Sequence, residues 1–323
     1  MAETRPGATG IRHEMVVANG LRFHVAACGE GERLALCLHG FPECWFSWRH
    51  QLPLLARLGY RAWAPDLRGY GDSSRPPRVA DYAIEALLAD VTGLVDASGA
   101  SHVVLLGHDW GGLIAWFAAI RRVRRFERLV ILNVPHPAAG RAAFRRPEQW
   151  LRSWYTLFFQ IPRLPEWLLA RRGGRAIDKA FRRTAVHPER FPDEVTRVYR
   201  DAALRPGALT AMLNHYRALL RGGGLRRQQA LGIPQLDTPT LLLWGVRDVA
   251  LTLATTVGTG RWVSDLTLRY LPDASHWVQQ DQPELVNAML EAWLTGRPVP
   301  FAPDPQATRP GRPMFRGRAE GEP

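Results

Sequence analysis

Residues 105–112, reading LLGHDWGG, constrain the fold of this chain more than any other stretch. They have the form G-x-D-x-G, with Gly107 and Gly111 on either side of Asp109. An apolar strand-like run, residues 102–106, leads in, and an apolar helix-like run, residues 113–120, leads out. A strand that turns sharply into a helix crowds the positions two before and two after the turn, so only small residues fit there. The free amides of the helix N-terminus then face the turn residue and favour a negative charge on it. Asp109 would also serve as a plain N-cap. Taken alone, the motif leaves these two readings in balance.

The segments around the turn alternate. Strand-like runs at residues 15–18, 21–27, 34–38, 60–64, 102–106 and 128–132 are interspersed with helix-like runs at 45–58, 84–97 and 113–120. Such alternation predicts an α/β fold with a doubly wound, mostly parallel sheet. The alternation stops at Pro135. Up to Gln229 the chain is rich in Trp, Phe, Leu and Arg, is broken by prolines, and reads as a helical insertion. Strand-like runs return at 240–244 and 266–271, followed by a helix at 284–294. The expected organisation is a core of residues 12–134 and 230–297, a helical cap of residues 135–229, and a disordered Pro-, Gly- and Arg-rich tail at 298–323. An insertion above the carboxyl ends of the strands would act as a lid.

Three further pieces tip the balance at Asp109. HGFP, residues 39–42, directly follows a strand-like run. The Phe41 amide in this loop and the Trp110 amide, just after the turn, are candidate donors to an oxyanion at Asp109. Phe41-Pro42 is a candidate cis peptide. LLLWGVRD places Asp248 a few residues past one late strand, and ASHW places His276 past the next. By itself His276 would be an ordinary core or surface histidine. The chain order of nucleophile, acid and histidine, each after a strand, favours a catalytic set of Asp109, Asp248 and His276. His13, His24, His50 and His187 lack such a context, and His108 reads as a structural hydrogen-bonding residue. No His, Cys or Asp cluster has metal-ligand spacing, so neither a metal nor a cofactor is expected.

An aspartate at such a turn selects a chemistry. Attack on an ester or amide would give an anhydride, a poor intermediate. Attack on a saturated carbon bearing a leaving group gives an ordinary ester, and a carboxylate ionised at neutral pH needs no base for it. His276 would then activate water to hydrolyse that ester. Epoxide oxygen and halide are both suitable leaving groups. An alkoxide is nearly as basic as hydroxide, the conjugate base of water with pKa ~15.7, and needs a proton donor. A halide needs only N–H donors. The insertion contains two phenols placed to serve as acids, Tyr155 in SWYTLFFQIP and Tyr216 in NHYRALL.

With these residues in view, the chain resembles the epoxide hydrolases of the α/β-hydrolase superfamily. The resemblance is carried by HGFP at His39, PDLRGYGDSS at Pro65, GHDWGG at Gly107, NVPHP at Asn133, WYTLFFQIP at Trp154, NHYR at Asn214, WGVRD at Trp244 and ASHWVQQDQPE at Ala274. It covers residues 20–294. It implies the α/β-hydrolase fold with an inserted cap, Asp109 as nucleophile, Asp248 and His276 as the charge-relay pair, and Tyr155 and Tyr216 as ring-opening acids. The pocket is expected to be formed by Phe41, Trp110, Trp154 and Phe159, and the substrates to be water and a small apolar or aromatic epoxide. Trp110 also occurs in haloalkane dehalogenases as a halide donor, which keeps dehalogenation as a second enzyme reading. Fluoroacetate dehalogenases share HGFP and RGYGDS but usually carry Arg where Trp110 stands. Asn133 stands where some relatives place their acid. His215 stands where relatives often have an aromatic residue. A third reading, from a different class, is a non-catalytic binding protein on this fold.

The formal charge is +12, with 42 Lys and Arg against 30 Asp and Glu, and Lys179 is the only lysine. The arginines fall in scattered pairs without a nucleic-acid-binding module, so solvated faces are expected and no nucleic-acid partner. The amino-terminal residues have no signal-peptide pattern and no apolar run reaches spanning length, which points to a cytoplasmic protein without stable membrane insertion. A homodimer is compatible with the sequence. Cys28, Cys37 and Cys44 are odd in number, and buried free thiols are the simplest reading of the first two.

Overall fold

The structure, a computed structural model, describes residues 10–303. Eight strands are present: β1 Arg12–Ala18, β2 Leu21–Cys28, β3 Arg33–Leu38, β4 Tyr60–Pro65, β5 Val103–His108, β6 Arg128–Leu132, β7 Thr240–Gly245 and β8 Leu266–Leu271. They form one sheet in the order β1-β2-β4-β3-β5-β6-β7-β8. The β1-β2 and β2-β4 ladders are antiparallel and all the others are parallel. Every residue of β5 and of β7 is buried. Strands covered by helices on both faces have no polar side, which is why these runs are continuously apolar rather than alternating.

The strand-like runs expected at 128–132 and 266–271 match β6 and β8. The helix expected over 45–58 is instead a 3-10 turn, Trp45–Trp48, and a short α-helix, Leu52–Arg57. Pro53 explains the break, because it has no N–H to continue a helix begun at Trp45. Between β6 and β7 the chain forms seven α-helices, from Pro137–Ala143 to Gly224–Ala230, and one 3-10 turn, Pro188–Arg190. The longest, Leu164–Thr184, is interrupted at residues 171–174, where Arg172, Gly173 and Gly174 take left-handed φ values of 55°, 66° and 78°. The tail expected to be disordered from 298 is docked at its start: Val299 is buried, and its carbonyl accepts from Arg269 at 3.0 Å. Residues 304–323 of that expectation lie outside the described residues.

Candidate active site

The turn after β5 has the crowding its glycines imply. Asp109 has φ 49° and ψ −118°, a conformation that costs a non-glycine residue on the order of 1–3 kcal/mol. A side chain at Gly107 would overlap the Gly111 carbonyl, one at Gly111 the Leu38 carbonyl, and one at Gly40 Asp109 itself. The helix Trp110–Ile120 starts immediately after Asp109. The Phe41 amide donates to Asp109 Oδ1 at 2.8 Å, and the Phe41-Pro42 peptide is cis. Burial alone would raise the Asp109 carboxyl, but His276, His108 and the Phe41 amide outweigh it and hold the group below the ordinary carboxylate range.

Asp248 follows β7 and His276 follows β8, so the sheet brings both to the carboxyl ends of its strands beside Asp109. His276 Nδ1 lies 2.7 Å from Asp248 Oδ2, and His276 Nε2 lies 3.5 Å from Asp109 Oδ2. Asp248 has no rotational freedom left. Its Oδ1 accepts the amides of Ala250 at 2.7 Å and Leu251 at 2.9 Å, and its Oδ2 also accepts the Asn133 amide at 2.7 Å. Burial would lower the His276 imidazolium, yet the two carboxylates together hold its pKa well above the ordinary value.

Beyond Asp109, Asp248 and His276 lies a further layer, in which His108 has the structural hydrogen-bonding role expected of it and Glu43 and Gln280 were not foreseen. Glu43, fully buried, accepts the Gly40 amide and His108 Nδ1 at 2.8 Å each, and Gln280 Nε2 at 2.8 Å. His108 Nε2 reaches the His276 carbonyl at 2.8 Å. The carboxylate thereby ties the Phe41 loop, the strand leading to Asp109 and the histidine loop together. The available signal was a lone acid inside the apolar run at 41–48. Such a residue is buried only when fully partnered.

The cap closes the site with aromatic side chains. Trp110, Phe159, Leu213 and Tyr216 form one buried cluster against Phe41 and Tyr155. Tyr155 and Tyr216 have ring centroids 6.0 Å apart, and Phe41 stands edge-on to Phe159 and to Tyr216 at 5.4 Å each. Burial and then the Asp109 charge push both phenols up, so both keep their protons. The Trp110 indole acts in the opposite sense on Tyr216, whose ring it meets at 5.0 Å. His215 turns away from the pocket, its Nε2 on the Arg68 carbonyl at 2.9 Å, and burial lowers it to about 4, so it is neutral. Trp154 is a correction. It is 61% exposed, with its ring against Phe158, because the short helix Trp154–Phe158 turns Tyr155 inward and Trp154 outward. Among the described residues no cluster suited to a metal ion occurs.

A sequence profile for the alpha/beta hydrolase fold matches residues 36–283, which defines the class. Mouse "Epoxide hydrolase 4" is 39% identical over 283 residues, covering 85% of this chain and 77% of the relative. "AB hydrolase superfamily protein YfhM" of Bacillus subtilis (strain 168) is 37% identical, covering 88% and 98%. The crystal structure of Epoxide Hydrolase A from Mycobacterium thermoresistibile superposes with a TM-score of 0.78 at 31% identity, covering 90% of this chain and all of the other. The chain belongs to the epoxide hydrolase family of the α/β-hydrolase superfamily.

Proposed function

We propose that the chain opens epoxides to vicinal diols through a covalent ester on Asp109. Asp109 Oδ2 attacks a ring carbon, the carbon–oxygen bond breaks, and the departing oxygen takes a proton from Tyr155 or Tyr216. His276 then removes a proton from water, which adds to the ester carbonyl. The resulting oxyanion, on Oδ1, is held by the Phe41 and Trp110 amides. Collapse expels the diol oxygen, which takes the proton held by His276, and the acid proton of the regenerated Asp109 carboxyl returns to the phenolate, so carboxylate, imidazole and phenol are all restored. Asp248 orients His276 and balances the imidazolium.

The observation that carries this reading over dehalogenation is the pair of proton-bearing phenols, 6.0 Å apart and both under the charge of Asp109. A halide has no use for them, and the Trp110 indole that would hold a halide meets the Tyr216 ring instead. A competent residue at each step weighs against a non-catalytic binding role. The apolar cluster of Trp110, Phe159 and Leu213 suits an apolar or aromatic epoxide. Cys28 and Cys37, buried free thiols, fit a reducing, cytoplasmic setting, and no helix among the described residues is long and apolar enough to cross a membrane.

The test is to trap the ester. His276→Gln, mixed with an aryl epoxide, should gain the mass of one whole substrate, mapped to Asp109. A gain of the alkyl group alone from a haloalkane, with epoxides inert, would instead make it a dehalogenase. Epoxide turnover by this variant without an adduct would overturn the covalent route.

A further inference from the structure

The outer face of the cap is unusually apolar. Of nineteen exposed large hydrophobic residues, nine fall within residues 144–168, including all three exposed tryptophans, Trp150 at 53%, Trp154 at 61% and Trp167 at 56%. Leu151 at 75%, Leu157 at 54% and Leu168 at 37% belong to the same run of helical segments, Pro147–Arg152, Trp154–Phe158 and the first half of Leu164–Thr184. Scattered single exposed hydrophobics are ordinary, but a concentration of this kind marks a contact surface. The same segment carries Arg145, Arg146, Arg163, Arg171, Arg172 and Arg175, all exposed and without a carboxylate partner among the described residues. Arg171 lies over the Trp167 ring at 5.1 Å, so charge and indole are presented together. The break at residues 171–174 places the Arg171-Arg172 pair at a turn.

We propose that this face of the cap docks on an anionic lipid bilayer, lying in the interface without crossing it. Tryptophan prefers the headgroup level, aliphatic side chains the acyl boundary just below, and arginine the anionic headgroups above. The charge decides between occupants. A second copy of this chain meeting the same face through a two-fold axis would set unpaired arginines against one another. An anionic surface neutralises them. Because Tyr155 lies between Trp154 and Phe158 on the docked segment, docking would bring the cap side of the pocket to the membrane, where apolar compounds concentrate. The docking itself does not depend on the reaction catalysed.

The experiment is co-sedimentation of the full chain with phosphatidylcholine vesicles, with and without phosphatidylglycerol. Binding is expected only to the anionic vesicles, with Trp fluorescence quenched by brominated acyl chains and release in high salt. Each arginine removed in the series Arg145→Gln, Arg146→Gln, Arg171→Gln and Arg172→Gln should lower the partition coefficient about five-fold. The triple variant Trp150→Ser, Leu151→Ser and Trp167→Ser should lose binding while keeping its turnover of a water-soluble substrate, which shows that it folds. No binding to anionic vesicles would overturn the proposal. So would binding indifferent to the triple variant, which is simple polyanion attraction, or a solution dimer in which these tryptophans are buried.

Discussion

His276 places its Nε2 3.5 Å from Asp109 Oδ2, close enough for an ion pair and too long for a tight hydrogen bond. On its other side the same ring is held at 2.7 Å by Asp248. The imidazole is thus fixed from behind and loosely engaged in front, where the proposed covalent route requires a water once Asp109 is esterified. The pair is also coupled electrically. Asp109 helps hold the His276 pKa up, and His276 helps hold the Asp109 pKa down. Esterification removes one of the two negative charges that keep the imidazolium protonated, so the intermediate itself should release the base that hydrolyses it.

That coupling gives the two half-reactions different pH dependences. On the proposed covalent route alkylation needs ionised Asp109, whose pKa is depressed, so it should fail only when the pH drops below the ordinary carboxylate range. Hydrolysis on that route needs neutral His276, so its rate should rise with pH through the imidazole pKa of the ester form and be lost at a higher pH than alkylation. Stopped-flow Trp fluorescence of single turnovers separates the two rates. Identical titration of both steps would contradict this assignment.

Asn133 is the silent member of the site. Its Oδ1 accepts the Gly245 amide at 2.8 Å, and its Nδ2 donates to Asp248. Asn133→Ala leaves a buried amide and a carboxylate lone pair unsatisfied, a cost of about 1–3 kcal/mol each way of counting. Urea denaturation should show that loss. The hydrolysis step should slow more than alkylation, because on the proposed route Asp248 acts through His276.

Glu43 should be the larger structural lesion. Glu43→Ala leaves His108, the Gly40 amide and Gln280 without their common acceptor, and each buried donor left unsatisfied costs about 1–3 kcal/mol. The folded-state pKa of Glu43 is depressed, its partners outweighing burial. Its contribution is therefore fully present above the unfolded-state pKa and is lost as pH falls through the folded-state pKa. The stability gap between wild type and variant should close in acid. A gap independent of pH would mean that packing, not charge, is what Glu43 provides.

The sheet was legible because its strands are apolar throughout and separated by helical spacing, and Asp109 because its glycines have one steric reason to be where they are. What the sequence could not show is direction. Trp154 and Tyr155 are neighbours in an aromatic run, and only the packing of a five-residue helix decides which one faces the pocket. The role of Glu43 was hidden for a related reason. Its partners His108, Gln279 and Gln280 come from two distant parts of the chain, and a partner set assembled by topology leaves no local pattern.

The two phenols provide the sharpest division between the enzyme readings. Tyr155→Phe and Tyr216→Phe each delete one proton donor and leave the rings that pack against Phe159 and Phe41 in place. Each should slow alkylation by an epoxide within the ~10²–10⁴-fold range of general acid assistance, and the double variant should be slower than either single one. The remaining single phenol still has a raised pKa and still carries its proton at neutral pH, so neither single variant should be inactive. Hydrolysis of a preformed ester should be little changed, because water attacks at Asp109 with His276 as base. Burst kinetics with an aryl epoxide give the alkylation rate directly. A double variant that alkylates at the wild-type rate would show that the departing oxygen needs no acid from the cap. A double variant that instead loses both half-reactions equally would show that the phenols shape the pocket rather than protonate the ring.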